Sequence, residues 1–509
     1  VPQRCEEDTN TFLWEINQEA PKEYAVLYDA FGKMGSNVEG GNVNQPGSLQ
    51  QCHSAHSPTF SGQYCQVFLR QESVQYFVGI CVPDSCREED VETLVLYVNR
   101  CLQAFSLHNT SQGVLTTFSG GGYSSLNGIR SLSLLWIICG HSTQFSVINN
   151  LNYKDWKKTV ERSPLYVFAI SGPVFLAVDT FLLLGLLSAK TLMSSITRAE
   201  DKLSACLVAS YIFKRIKVQP LHLFIMCLTI GLISLIKWGP YWFPLIETMM
   251  DCKTYWWANI LLINNLLPVH EICIPWTWYL SLDFQCYATT PLLLYFYRNR
   301  GVFAAVAGGL LLMTTVAGVV ITALMQLPVF EPSTTSYNYV LQYYLKPYTR
   351  YGPFLIGILT GIHLMTKKDQ LLKRWQAALG WLCCLLLMAV LVGLAYVLRE
   401  TPSYPSVPHA LYQGLHRPLW ALSVTWIILA CEEGYGFIKS FLSWGLWVPL
   451  SKISFACYLS HPVFIILYIG LQETPIHYTD LNFMYLFLGH LVLTLVVSYV
   501  LTVLVEKPY

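Results

Sequence analysis

The sequence predicts an all-α polytopic membrane protein of about ten transmembrane helices, preceded by a small disulfide-rich domain. Three observations carry this. Only 12% of the 509 residues are Asp, Glu, Lys or Arg, and 53% are hydrophobic, whereas a soluble domain carries about 25% charge. From about residue 124 the chain becomes a series of apolar runs separated by short polar loops. Six cysteines, Cys5, Cys52, Cys65, Cys81, Cys86 and Cys101, crowd into the polar segment before it. Lys and Arg total 32 against 31 Asp and Glu, so no basic excess points to nucleic acid, which is not expected as a partner.

Residues 1–101 read as one cysteine-rich domain. An even cysteine count in a small polar segment implies three disulfides in an oxidising compartment, with all 15 pairings of six cysteines open. Zinc at Cys81 and Cys86 fits less well, because four residues separate them and no His lies nearby. The sequon Asn109-Thr110-Ser111 is a glycosylation acceptor, consistent with a luminal face. Val1-Pro2-Gln3-Arg4 lacks the apolar stretch of a signal peptide, so a targeting segment is expected to have been removed upstream. Residues 102–123 read as a linker, and residues 124–509 as the membrane bundle.

Each apolar run approaches the roughly 20 residues that cross about 30 Å of hydrocarbon. The expected spans are 127–148, 165–188, 219–237, 277–297, 302–326, 350–365, 377–398, 417–432, 450–471 and 483–505. Trp256 to Pro268 is too short to span and lies between Cys252 and Cys273, so it reads as a re-entrant or surface segment closable by a disulfide. Three loops are positively charged: Lys190, Arg198, Lys202, Lys214, Arg215 and Lys217; Arg298 and Arg300; and Lys367, Lys368, Lys373 and Arg374. All fall on one side, which the positive-inside rule makes cytosolic. The first span then starts in the cytosol while the cysteine domain is luminal. Either the cysteine domain is cytosolic and its cysteines are reduced, or one further crossing, between Cys101 and Leu126, is missing from this chain; the three positive loops and the two cysteine sets agree once that crossing is restored, so a missing crossing is expected.

Ionisable groups within spans are costly and mark candidate sites. Arg130 and His141 lie eleven residues apart in the first span, which returns to within about 20° of the same face and rises roughly 16 Å. A cation near the cytosolic end with an imidazole deeper in suits a ligand with an anionic head and a long reactive arm. Imidazole is suited to removing a hydroxyl proton near neutral pH. The competing reading is an interhelical His and an Arg reaching toward headgroups. No metal-ligand spacing is convincing, and no metal is expected.

The run Leu126-Asn127-Gly128-Ile129-Arg130 through Gly140-His141-Ser142 resembles the Arg, ten residues, His signature of the acyltransferase type 3 superfamily. Its animal branch, the nose resistant to fluoxetine proteins, is matched by Trp256-Trp257-Ala258-Asn259 with Ile263-Asn264-Asn265, by Thr277-Trp278-Tyr279-Leu280-Ser281-Leu282-Asp283-Phe284-Gln285 and by Lys346-Pro347-Tyr348-Thr349-Arg350. Tyr458-Leu459-Ser460-His461-Pro462, Glu506-Lys507-Pro508 and the Cys81 to Cys86 segment extend the match. Members of the branch usually have an extra span before the Asn-Gly-Ile-Arg motif, which coincides with the missing crossing.

The resemblance implies transfer of an acyl group from cytosolic acyl-CoA, the donor substrate, to a hydroxyl acceptor in the membrane or lumen, with His141 as general base. It implies a multi-pass protein of the secretory pathway, in the endoplasmic reticulum, among membrane lipids. Arg130, Lys214 and Lys217 would hold the CoA phosphates; the two lysines stand six and three residues before Pro220, where relatives carry a paired-Arg motif. Lysine there keeps the charge and loses bidentate geometry. Asp283, whose expected depth overlaps that of His141, would orient the imidazole. His461 reads chiefly as a helix-pairing residue and Asp179 as an interhelical partner, while Arg350 sits at a luminal span end, free to bind an acceptor or to snorkel. The alternative is a lipid or small-molecule transporter that uses the same bundle without catalysis.

Overall fold

The computed structural model describes residues 3–15, 22, 24, 27, 30, 33–34, 44–45, 47–71, 74–87, 89–91, 107–117, 123–150, 173–198, 203–216, 219–235, 239–242, 252–268, 271–329, 339–366, 373–400, 407–477 and 479–507. The chain divides into two compact units, Val1–Asn109 and Thr110–Tyr509.

The first unit is built on disulfides. Helix α1 (Gln3–Glu15) is followed by the short antiparallel pair β1 (Lys33–Met34) and β2 (Asn44–Gln45), α2 (Leu49–Ser54), and the hairpin of β3 (Gly62–Gln71) and β4 (Val74–Pro83). The Ser48 hydroxyl caps α2 by accepting from the Gln51 N–H. Cys5 bonds Cys86, tying α1 to the end of the hairpin, and Cys52 bonds Cys81, tying α2 to β4. A core as small as Tyr24, Leu27, Ala30, Ala55 and Phe60 leaves such a unit dependent on staples. Cys65 is half-buried on β3, and Cys101 lies outside the described residues.

In the second unit, α3 (Leu107–Leu115), which includes the division, is followed by α4 (Ser125–Asn150), α5 (Phe175–Leu183), α6 (Leu186–Arg198), α7 (Ala205–Ile216), α8 (Gln219–Leu235) and α9 (Cys252–Ile260). Then come α10 (Trp278–Phe296), α11 (Arg300–Met325), α12 (Pro347–Thr366), α13 (Arg374–Glu400), α14 (Val407–Glu432), α15 (Trp447–Gly470) and α16 (Asp480–Leu501). Asn109 lies on the backbone of α3, and its side chain is outside the described set. Residues 111–116 pack on the bundle: the Ser111 hydroxyl is 2.5 Å from that of Tyr499, and Lys452 Nζ donates to the Gly113 carbonyl at 2.8 Å.

Among the described residues, six helices are long and apolar enough to cross a membrane: Phe175–Arg198, Ala205–Leu232, Arg300–Met325, Arg374–Leu398, Trp447–Gly470 and Asp480–Glu506. The expected spans change in two places. The helix read at 165–188 is described from Phe175 to Arg198, and a further helix, α7 (Ala205–Ile216), stands before the one read at 219–237. Arg215, read in a loop, therefore stands on a helix. The segments read at 127–148, 277–297, 350–365 and 417–432 are the helices α4, α10, α12 and α14, whose apolar runs are interrupted by Arg130 and His141, Asp283, Arg350 and Arg417. Trp256 to Pro268 forms α9 and a 3₁₀ turn, Asn264–Leu266, closed by the Cys252–Cys273 disulfide.

Lipid-facing and central helices separate by surface. Leu312, Met313 and Leu324 on α11, Leu382, Leu385 and Leu386 on α13, and Val492 and Val496 on α16 are exposed, a pattern that only hydrocarbon solvates. Asp179, Arg350, His416, Arg417 and His461 face inward, each at most 2% exposed. Small residues permit close helix contact: a Cβ added at Gly357 would lie 2.2 Å from the Leu183 carbonyl oxygen, and one at Gly361 2.5 Å from that of Leu186, so the Gly357-x-x-x-Gly361 stripe of α12 seats directly on the backbone of α5 and α6.

Candidate functional site

Helices α4 and α15 run parallel and side by side. The Ser131 hydroxyl donates to the Trp447 carbonyl at 3.3 Å, and Arg130 Nη1 to Ser451 Oγ at 3.4 Å. Further along, Leu134 and Ile138 share an apolar cluster with Ile453 and Cys457, and His141 meets His461. Both helices advance together because one 3.6-residue period faces each to the other.

His141 Nδ1 lies 2.8 Å from His461 Nε2, with ring planes 11° apart. His461 Nδ1 lies 2.8 Å from the Cys457 carbonyl. A carbonyl only accepts, so that Nδ1 carries a proton; with both rings neutral, His461 Nε2 is then an acceptor. His141 must donate from Nδ1, which leaves its Nε2 as the lone-pair nitrogen. Phe145 stacks on the His141 ring at 4.8 Å between centroids and fixes its plane. His461 is wholly buried, whereas His141 is half-buried. Pro462 follows directly and has no N–H for the carbonyl one turn back, a local opening of α15 tolerated inside a bundle. His490 packs nearby, its Nδ1 3.2 Å from Ser142 Oγ.

Asp283 is placed differently from the sequence expectation. It pairs with Arg215, Nη2 to Oδ2, and not with His141. The cause lies in the preceding segment. The Tyr458 hydroxyl donates to the Trp276 carbonyl at 2.5 Å, so α10 begins close to the level of the histidines. Five residues more carry Asp283 about 7.5 Å further toward the Arg130 end. Arg130 interacts electrostatically with Tyr279, Arg215 and Asp283. Arg215 also covers the ring of Tyr287, 5.4 Å from its centroid, and Tyr287 stacks on Tyr211 at 4.1 Å. Two guanidinium groups, one carboxylate and the Tyr279 hydroxyl thus interact with one another. Lys214 is exposed, and Lys217 lies outside the described residues.

Arg350 is neither at an open mouth nor snorkelling: it is completely buried. Its Nη1 donates to Asp179 Oδ1 at 3.0 Å and its Nε to the Tyr344 carbonyl at 2.7 Å. Arg417, which sequence reasoning missed, approaches the other Asp179 oxygen with Nε at 4.0 Å and donates from Nη1 to the Thr349 carbonyl at 2.7 Å. It stands within a span, as His416-Arg417-Pro418, and an inventory of every intramembrane cation would have found it. Arg215 was missed because its run of cations reads as a loop.

The Asn, Thr and Gln motif residues knit the 3₁₀ turn Asn264–Leu266 to the start of α10. Asn264 Nδ2 donates to Thr277 Oγ1 at 2.8 Å, Ser281 Oγ to Asn264 Oδ1 at 2.6 Å, and Gln285 Nε2 to Asn265 Oδ1 at 2.8 Å. Lys346 Nζ donates to the Asn265 and Leu266 carbonyls at 3.1 and 3.0 Å.

Fold and site together define a multi-pass membrane protein with an acyltransferase domain and a separate disulfide-bonded domain. The acyltransferase domain family matches residues 123–503, and the N-terminal domain of nose resistant-to-fluoxetine protein matches residues 5–95. The chain belongs to the acyltransferase type 3 family. It is similar to "Nose resistant to fluoxetine protein 6" of Caenorhabditis elegans, 30% identical over 408 residues that cover 74% of this chain and 49% of that protein. It is also similar to "Regulator of hypoxia-inducible factor 1" of the same organism, 23% identical over 393 residues that cover 69% of this chain and 73% of that protein. The match thus spans about half the length of the first relative. No solved structure matches the chain.

Proposed function

We propose that the protein is an O-acyltransferase that moves an acyl group from cytosolic acyl-CoA to a hydroxyl acceptor in the membrane or lumen. The observation that carries this reading is the relay from the Cys457 carbonyl through His461 to His141, which leaves His141 Nε2 as a base on the same helix as Arg130. Arg130 and Arg215 supply charge for the donor phosphates, with Lys214 and Lys217 at the entrance. Eleven residues of α4 span roughly 16 Å, a distance suited to a pantetheine arm.

His141 Nε2 takes the acceptor's hydroxyl proton as that oxygen attacks the thioester carbon. The new C–O bond forms, the C–S bond breaks, and the CoA thiolate leaves with the proton returned from His141. His461 keeps accepting from His141 Nδ1 throughout and steadies the imidazolium, the part that Asp plays in serine hydrolases. Asp283 serves the arginines. In this reading all ten long apolar segments cross an endoplasmic reticulum membrane, with the first unit and the Cys252–Cys273 segment luminal.

The test is release of CoA thiol from acyl-CoA by the purified chain in lipid, with lipid or sterol alcohols as acceptors. Binding of acyl-CoA without release under any acceptor would favour the carrier reading. His461→Ala should lower kcat by about 100-fold, near the lower end of what a positioned proton-transfer residue contributes, with KM for acyl-CoA unchanged. His461→Gln, whose amide oxygen can accept from Nδ1, should restore part of it. Equal losses in both variants, tracking lost thermal stability, would make His461 a packing residue only.

A further inference from the structure

The Asp179 centre is unbalanced in charge and in hydrogen bonds. Asp179, Arg350 and Arg417 are at most 2% exposed. Arg417 interacts electrostatically with Asp179, Arg350, Tyr339 and Tyr343, and Arg350 with Asp179 and three tyrosines, so among the described residues a single carboxylate faces two guanidinium groups. An uncompensated buried charge costs several kcal/mol. Among the described residues, Arg350 Nη2, Arg417 Nε and Asp179 Oδ2 have no hydrogen-bond partner, the last two standing 4.0 Å apart, where buried polar atoms ordinarily have one. The Tyr344 and Trp278 rings lie 4.3 and 5.0 Å from the Arg350 guanidinium carbon, and the Tyr343 ring 4.2 Å from that of Arg417. Ring faces attract a cation but accept few in-plane N–H bonds, so those donors still need an acceptor.

From this we infer that the centre is an anion site, in which a small monovalent anion, chloride or a carboxylate, sits between Arg350 and Arg417. One negative charge brings the three side chains to neutrality and supplies the acceptor that Arg350 Nη2 and Arg417 Nε lack. A water would satisfy the donors and leave the charge. A divalent phosphate would overshoot it.

The full chain, purified in detergent with methanesulfonate as the bulky counter-anion, is loaded with radiolabelled chloride or acetate and desalted. The expected result is about one equivalent of label per chain, together with a saturable rise in melting temperature of roughly 3 °C at constant ionic strength. Retained chloride identifies a free ion as the source, and retained acetate a carboxylate. Arg417→Gln should lose both the label and the thermal response. Failure of wild type to retain either anion, or a thermal response that persists in Arg417→Gln, overturns the site. Where Arg417→Gln does not fold, Arg417→Lys, which keeps the charge but lacks Nε, should retain less label than wild type, and equal retention overturns the site.

Discussion

His141→Ala is expected to lower acyl transfer by about 1,000-fold, within the range that a positioned acid–base group supplies, while acyl-CoA binding is retained. The cause is specific: Nε2 is the basic nitrogen because Nδ1 is committed to His461 at 2.8 Å. Alanine also leaves His461 Nε2 without its donor, which costs about 1–3 kcal/mol. His141→Gln is therefore the sharper variant. Its amide N–H can still donate to His461 while it offers no base, so it should be as inactive as alanine and melt closer to wild type. Thiol release and thermal melting on the same preparations check both statements. A glutamine variant with substantial turnover would remove His141 from the chemistry.

Asp179→Ala is expected to destabilise the bundle by about 3–5 kcal/mol, the loss that follows when one partner of a buried ion pair is removed. Arg350 and Arg417 would then hold two buried positive charges against the one inferred anion. Yield of monodisperse protein should fall sharply, read by size-exclusion chromatography in detergent. Replacing Asp179, Arg350 and Arg417 together with Leu, Met and Met should recover much of the loss, since apolar residues of similar volume often substitute for a buried ionic group at little cost. A single variant as stable as wild type would show that the guanidinium groups are compensated without Asp179.

What could be read from the chain depended on the range of the interaction. Helix content follows from local apolar runs, and Arg130 and His141 turn to one neighbour, α15, because both sit on one uninterrupted helix with a fixed period. The Cys252–Cys273 bond joins residues only 21 apart. Depth between helices was much harder to judge. The sequence places Asp283 at the depth of His141 only if α10 starts at the membrane surface, whereas the Tyr458 contact to Trp276 seats the turn before α10 within the bundle. Arg350 carries no local mark of burial, because Asp179 and Arg417 reach it from helices 171 and 67 residues away. From sequence His461 reads as packing, because its role as acceptor depends on the proton assigned to it by the Cys457 carbonyl.

The most direct test of the proposed reaction path is a structure of the full chain with a non-hydrolysable acyl-CoA analogue. The phosphates are expected against Arg130 and Arg215, with the pantetheine arm running along α4 and the carbon that stands for the thioester within reach of His141 Nε2. An analogue bound elsewhere, or a lipid without a nucleotide head in that path, would contradict the assignment of donor and base together.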